Sequence, residues 1–154
     1  MGVWAWALEV YGRPGVPHAT LKLQDAHGQN TSLLLWAVYA EVTDRGLLAE
    51  AARAARAWDE AVLVPLREAR RALKPPLPPF PDDSREALRE QVKRLELDAE
   101  RLLLETLDCL AGAAPGPEPE RGGCRPLDAL TAASEAWGSA GPTTALAELA
   151  TLLE

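Results

Sequence analysis

Three groups of side chains have the types and spacing that chemistry requires. The first lies in "LKLQDAHGQNTSLLLW", residues 21–36, where Gln24, Asp25 and Asn30 crowd ahead of an apolar run. Buried amides must find hydrogen-bond partners. Such a corner is therefore either a small polar pocket or a helix joint held by side-chain-to-backbone bonds. The second is "PLREARRALK", which sets Arg67, Arg70, Arg71 and Lys74 at i, i+3, i+4 and i+7 on one helix side. Guanidinium groups suit bidentate contacts to carboxylate or phosphate, so this side is the candidate face for an acidic or anionic partner. Two structural readings stand beside it. Cations in the last turns of a helix favour its dipole, and a helix returning antiparallel would bring Glu86 and Glu90 opposite them. The third group is Glu96 and Glu100, one turn apart. Paired carboxylates do acid–base work when burial displaces one pKa. With Lys93, Arg94 and Arg101 nearby, a solvated charged face is expected.

Other chemistries lack their residues. His18 and His27 are nine positions apart, not the i, i+4 spacing of helical metal ligands, and no Glu-x-x-His motif occurs. "DDSRE" at 82–86 resembles a magnesium-binding Asp-rich motif. It follows Pro81 at a helix start, however, where Asp83 and Glu86 read as a capping box. No Ser or Cys sits in a strand–turn–helix elbow, and no Gly-rich loop follows a strand. No catalytic residue, metal or cofactor is expected. A net charge of −7 argues against polyanion binding by the whole chain. No aromatic residues interleave with the Arg cluster, so nucleic acid is not the expected partner. Cys109 and Cys124 make neither a disulfide framework nor a zinc set, which points to a reducing, cytoplasmic setting. The longest apolar run, 33–40, is far short of the ~18 residues a membrane span needs, and the N-terminus does not read as a signal peptide.

These groups are positioned by helices. Trp4, Ala7, Leu8 and Tyr11 space a first helix, ended by "GRPGVP", and a second runs from Pro17 to His27 with Gly28 as its terminator. The third starts at Asn30, Thr31 or Ser32, all good N-caps. It is apolar on every side over 33–40, as buried helices are. The fourth carries a stripe of Leu48, Ala51, Ala55, Trp58, Val62, Leu66, Ala69 and Leu73, with Pro65 inside it. A kink there, or two nearly collinear helices, is expected. "KPPLPPFP" is a stiff connector. The fifth helix follows to about residue 111, with Leu88, Val92, Leu95, Ala99 and Leu102 at coiled-coil-like spacing. The tryptophans at 4, 6, 36 and 58 read as core anchors.

The expected fold class is all-α, a single-domain bundle of about five main helices over 1–112. A Pro/Gly-rich linker over 113–125 then leads to a loosely attached, acidic helical appendage over 126–154.

Taken together, Trp4, Trp6 and Leu8, "YGRPGV", "LKLQD", "NTSLLLW", Trp58, "PLREARRALK" and "ELDAER" resemble a proteobacterial family of small helical proteins that carries only a domain-of-unknown-function label. The resemblance covers about residues 3–110 and departs at Ser32, where many relatives place Asn or another polar residue. It implies a helical fold and no activity.

The leading expectation is a cytoplasmic, non-catalytic binding or adaptor protein without a cofactor. It would meet a protein partner through Arg67, Arg70, Arg71 and Lys74, with Gln24, Asp25 and Asn30 as a secondary polar site. The alternative is a small helical enzyme or ligand-binding protein. Its pocket would lie at the corner of the second and third helices, lined by Gln24, Asp25, Asn30 and Glu96 or Glu100, one carboxyl having a displaced pKa. A third reading is homodimerisation through the Leu-rich "LLLETLDCL" end of the fifth helix.

Overall fold

The structure, a computed structural model, describes residues 1–113, 123–138 and 142–154. The order is α1 (Val3–Tyr11), α2 (Val16–His27), α3 (Thr31–Tyr39), α4 (Arg45–Trp58), a π-helical segment (Asp59–Leu63), α5 (Val64–Ala72), α6 (Asp82–Ala113), α7 (Pro126–Trp137) and α8 (Thr143–Leu153). Among the described residues there is no strand, and the fold is all-α as expected. Counting 45–72 as one uninterrupted helical run, the helices number seven rather than about five.

Packing divides the chain into two compact units, 1–55 with 104–154, and 56–103. In the first unit α3 is the centre. Leu33, Leu34, Leu35, Trp36 and Ala37 are fully buried, because α1, α2 and α7 each pack on α3. The local signals that start α3 act as read. Gly28 takes the left-handed conformation that ends α2, and the Gln29 amide donates to the Leu23 carbonyl at 3.0 Å. Asn30 then caps α3, its Oδ1 accepting from the Leu33 amide at 2.9 Å.

The C-terminal helices are not a loose appendage. Leu130 and Ala133 of α7 and Leu149 of α8 are fully buried, with α7 packed on α3 and α8 on α2. Trp137 Nε1 donates to the Gly28 carbonyl at 2.8 Å, and Arg13 Nη1 donates to the Leu153 carbonyl at 3.2 Å. The division by packing falls between residues 55 and 56 and between 103 and 104. Most of the Pro/Gly-rich linker, 114–122, lies outside the described residues.

The second unit is a helical hairpin of α5 and α6 with the π segment. Its one uninterrupted approach from α4 agrees with the expected absence of a chain reversal at Pro65. The expected phase is not kept, though. Pro65 has no N–H and its ring would clash with the carbonyl four residues back in an α-helix. The Val64 amide donates instead to the Asp59 carbonyl, five residues back, in a π turn. The extra residue rotates the stripe. Leu63 is buried, while Val62 and Leu66 are only half-buried. Arg85 closes the hairpin from α6, its Nη1 donating to the Leu73 carbonyl and, at 3.0 Å, to that of Lys74, so the last carbonyls of α5 are capped.

Candidate functional site

The Arg-rich side of α5 turns toward α6. Arg67, with its side chain 14% exposed, lies 3.3 Å from Asp59 Oδ1, 3.5 Å from Glu96 Oε1 and 3.7 Å from Glu100 Oε1. Arg70 Nε donates to Glu96 Oε2 at 2.6 Å, and Nη2 to Oε1 at 3.4 Å, a fork-to-fork pair. Burial pushes the Glu100 carboxyl above its ordinary value; Arg67 opposes that shift and Glu96 reinforces it. The displaced carboxyl thus belongs to an ion-pair network within the hairpin. Arg71 and Lys74 are exposed. Arg67 and Arg70 of the candidate face hold internal carboxylates. The partners are Glu96, Glu100 and Asp59 rather than Glu86 or Glu90, which were expected opposite them.

The polar corner is also dispersed. Gln24 is half-buried and Asp25 exposed, whereas Asn30 is buried with its Oδ1 occupied by the α3 amide. Glu96 and Glu100, one of which the alternative reading places in a pocket there, are held by Arg67 and Arg70. The first unit has a cleft of about 640 Å³ lined by Thr43 and by residues of α4 and α7, including Arg45, Asp128, Thr131 and Glu135. Burial pushes the Cys124 thiol above its usual range, with Asp128 and Glu41 adding to the shift. It is not a poised thiolate. Among the described residues, no group of three or more His, Cys, Asp or Glu is arranged to hold a metal ion. No helix among them is long and apolar enough to cross a membrane.

The feature that sequence reasoning underrated is apolar and exposed. On α6, Leu88, Leu95 and Leu102 are 48%, 55% and 50% exposed, although Ala99 between them is buried and Val92 half-buried. At the connector, Leu77 and Phe80 are 47% and 63% exposed. There, Leu73, Leu77, Phe80, Pro81 and Leu88 line an apolar pocket of about 290 Å³, with the stem of Arg85 below. The heptad spacing of the leucines was visible. What it could not say was that α5 covers only the edge of that seam. Of the "LLLETLDCL" end, Leu102 is exposed, whereas Leu103, Leu104 and Leu107 are buried. Within 56–103 the buried residues are Leu63, Arg85, Ala99 and Leu103. That is little core for a folded unit, because two-layer packing must bury each helix's apolar stripe.

A family model described as "Protein of unknown function (DUF2390)" matches residues 2–107. No curated protein and no solved structure matches the chain.

Proposed function

We propose that the chain, which belongs to the DUF2390 family of proteins of unknown function, is a non-catalytic cytoplasmic binding protein that acts by contact. Its contact face is the apolar side of the α5–α6 hairpin. The observation that carries this is the row Leu88, Leu95 and Leu102, each about half-exposed at seven-residue spacing on a unit with so few buried side chains. Large contiguous apolar faces mark interaction surfaces. The Arg side of the hairpin is the weaker candidate, because Arg67 and Arg70 already satisfy Glu96, Glu100 and Asp59.

The test places a photo-crosslinking residue at position 95 and, as control, at exposed Arg53 on α4. Illumination in the native cell yields a discrete covalent product from position 95 and none from position 53. No product from position 95 would overturn the reading.

One observation favours a second reading, small-molecule binding: the 640 Å³ α4–α7 cleft falls within the roughly 300–1,000 Å³ of ligand pockets. A ligand that raises the melting temperature, with the rise lost in Arg45→Ala, would support it. No such ligand in a metabolite panel removes it.

A further inference from the structure

We propose that the occupant of the hairpin's apolar face is a second copy of this chain, packed with α6 antiparallel to α6 about a two-fold axis at Leu95. This rests on the contact reading above and names its partner.

A helical hairpin with one apolar face is half of a four-helix bundle. The pattern on α6 is its own complement. Leu88 and Leu102 stand seven positions either side of Leu95, so a two-fold axis there sets Leu95 on Leu95 and Leu88 on Leu102 of the second copy. Seven-residue leucine spacing is the seam of packed helix pairs. Symmetric contacts of this kind close at two copies. The same axis gives the apolar pocket at the hairpin tip a filling. Leu88 lines that pocket, and Leu102 of the second copy is the side chain brought to it.

The remaining parts of the face agree. Leu73 shares the tip pocket with Leu88, which fixes that side of α5 as belonging to the face. Leu66 and Ala69 follow Leu73 on it at helical spacing. Ala69 is small and exposed, and the half-buried Leu66 and Leu73 flank it. Two copies of α5 can therefore approach closely at Ala69 while Leu66 meets Leu73. Charge is complementary too. Arg94 and Asp98 are both exposed on the outer flank of α6. Antiparallel pairing about Leu95 brings Arg94 of one copy beside Asp98 of the other, twice. Leu88, Leu95 and Leu102 are each about half-exposed, and a standard interface buries about 800 Å² per partner, to which the stems of flanking polar residues also contribute.

Sedimentation velocity and light scattering on the purified full chain test this. The expected result is a dimer at micromolar concentration, and a folded monomer for Leu95→Glu by circular dichroism. Where Leu95→Glu fails to fold, the charge variants decide. Arg94→Asp weakens the dimer at least tenfold, and Arg94→Asp combined with Asp98→Arg restores it. In a background of Cys109→Ser and Cys124→Ser, Leu95→Cys forms a disulfide-linked dimer. Leu88→Cys does so only when mixed with Leu102→Cys. A wild-type chain that stays monomeric at 100 µM (a concentration we set as the limit, about a hundred times a micromolar Kd) overturns the inference, as does a dimer insensitive to these changes. A monomer that still crosslinks from position 95 to a different protein overturns the second copy alone and leaves the contact reading standing.

Discussion

Replacing Arg67 by Ala should destabilise the hairpin strongly, whereas an anion-binding face would predict almost no change. Arg67 lies within 3.3–3.7 Å of three carboxylates whose side chains are 12–23% exposed. Exposed ion pairs contribute roughly 0.2–1 kcal/mol each, while removing one partner of a buried pair costs about 3–5 kcal/mol because the other charge is left uncompensated. This site lies between those limits, and Arg70, which holds Glu96, would remain. The expected loss is about 2–3 kcal/mol in urea denaturation followed by circular dichroism at neutral pH. The deficit has a pH signature. Arg67 opposes the upward push of burial on the Glu100 carboxyl, so without it Glu100 binds its proton more tightly in the folded state, and the variant recovers relative to wild type as pH falls. A loss below about 0.5 kcal/mol, typical of a surface change, would refute the network and return Arg67 to solvent and to external partners.

Glu100→Gln and Glu96→Gln should act in opposite directions. Burial raises the Glu100 pKa, so the stabilisation from its proton is present at low pH and lost as pH rises through the folded value. Gln, always neutral, keeps it, and Glu100→Gln should raise the melting temperature at pH 7 with the gain fading in acid. Glu96→Gln should lower it, since Glu96 holds both Arg67 and Arg70. Asn30→Ala removes the cap of α3 and should cost about 0.5–2 kcal/mol in the same denaturation assay. Truncation after residue 113 should yield an aggregated chain on size-exclusion chromatography rather than a folded one, because α3 loses the cover of α7.

The sequence reported local events well and contacts between distant segments poorly. Gly28, Asn30 and the all-round apolar 33–37 mark a helix end, a cap and a buried helix, and each acts within a few residues of itself. The fate of α7 and α8 was not legible, because short Ala/Leu helices after Pro- and Gly-rich sequence look alike whether they dock or not. The helices that carry Leu130 and Leu149 find their partners in α3 and α2, far back in the chain. The π segment was hidden for a different reason. The apolar spacing across Pro65 is unbroken, and only the missing proline N–H demands the extra residue. The acidic partners of the Arg cluster on α6 are Glu96 and Glu100 in place of Glu86 and Glu90, a misjudgement of nearly three turns. Side chains tilt toward the N-terminus of their own helix, so Arg67 and Arg70 lean away from the connector. They meet carboxylates farther along α6 than simple hairpin counting places them. As for the candidate face, its leucines were legible as a heptad, but their exposure depended on how narrow α5 is against α6.

The cover of α3 by α7 has a consequence for biosynthesis. Tyr39 and Pro126 are 87 positions apart, which at ribosomal speeds of about 5–20 residues per second is roughly 4–17 s. For that interval the nascent polypeptide carries its most water-averse segment without the helix that will shield it. Each newly made molecule therefore passes through a window in which chaperones compete with aggregation for Leu33–Ala37, and a ribosome stalled before codon 126 leaves that segment bare.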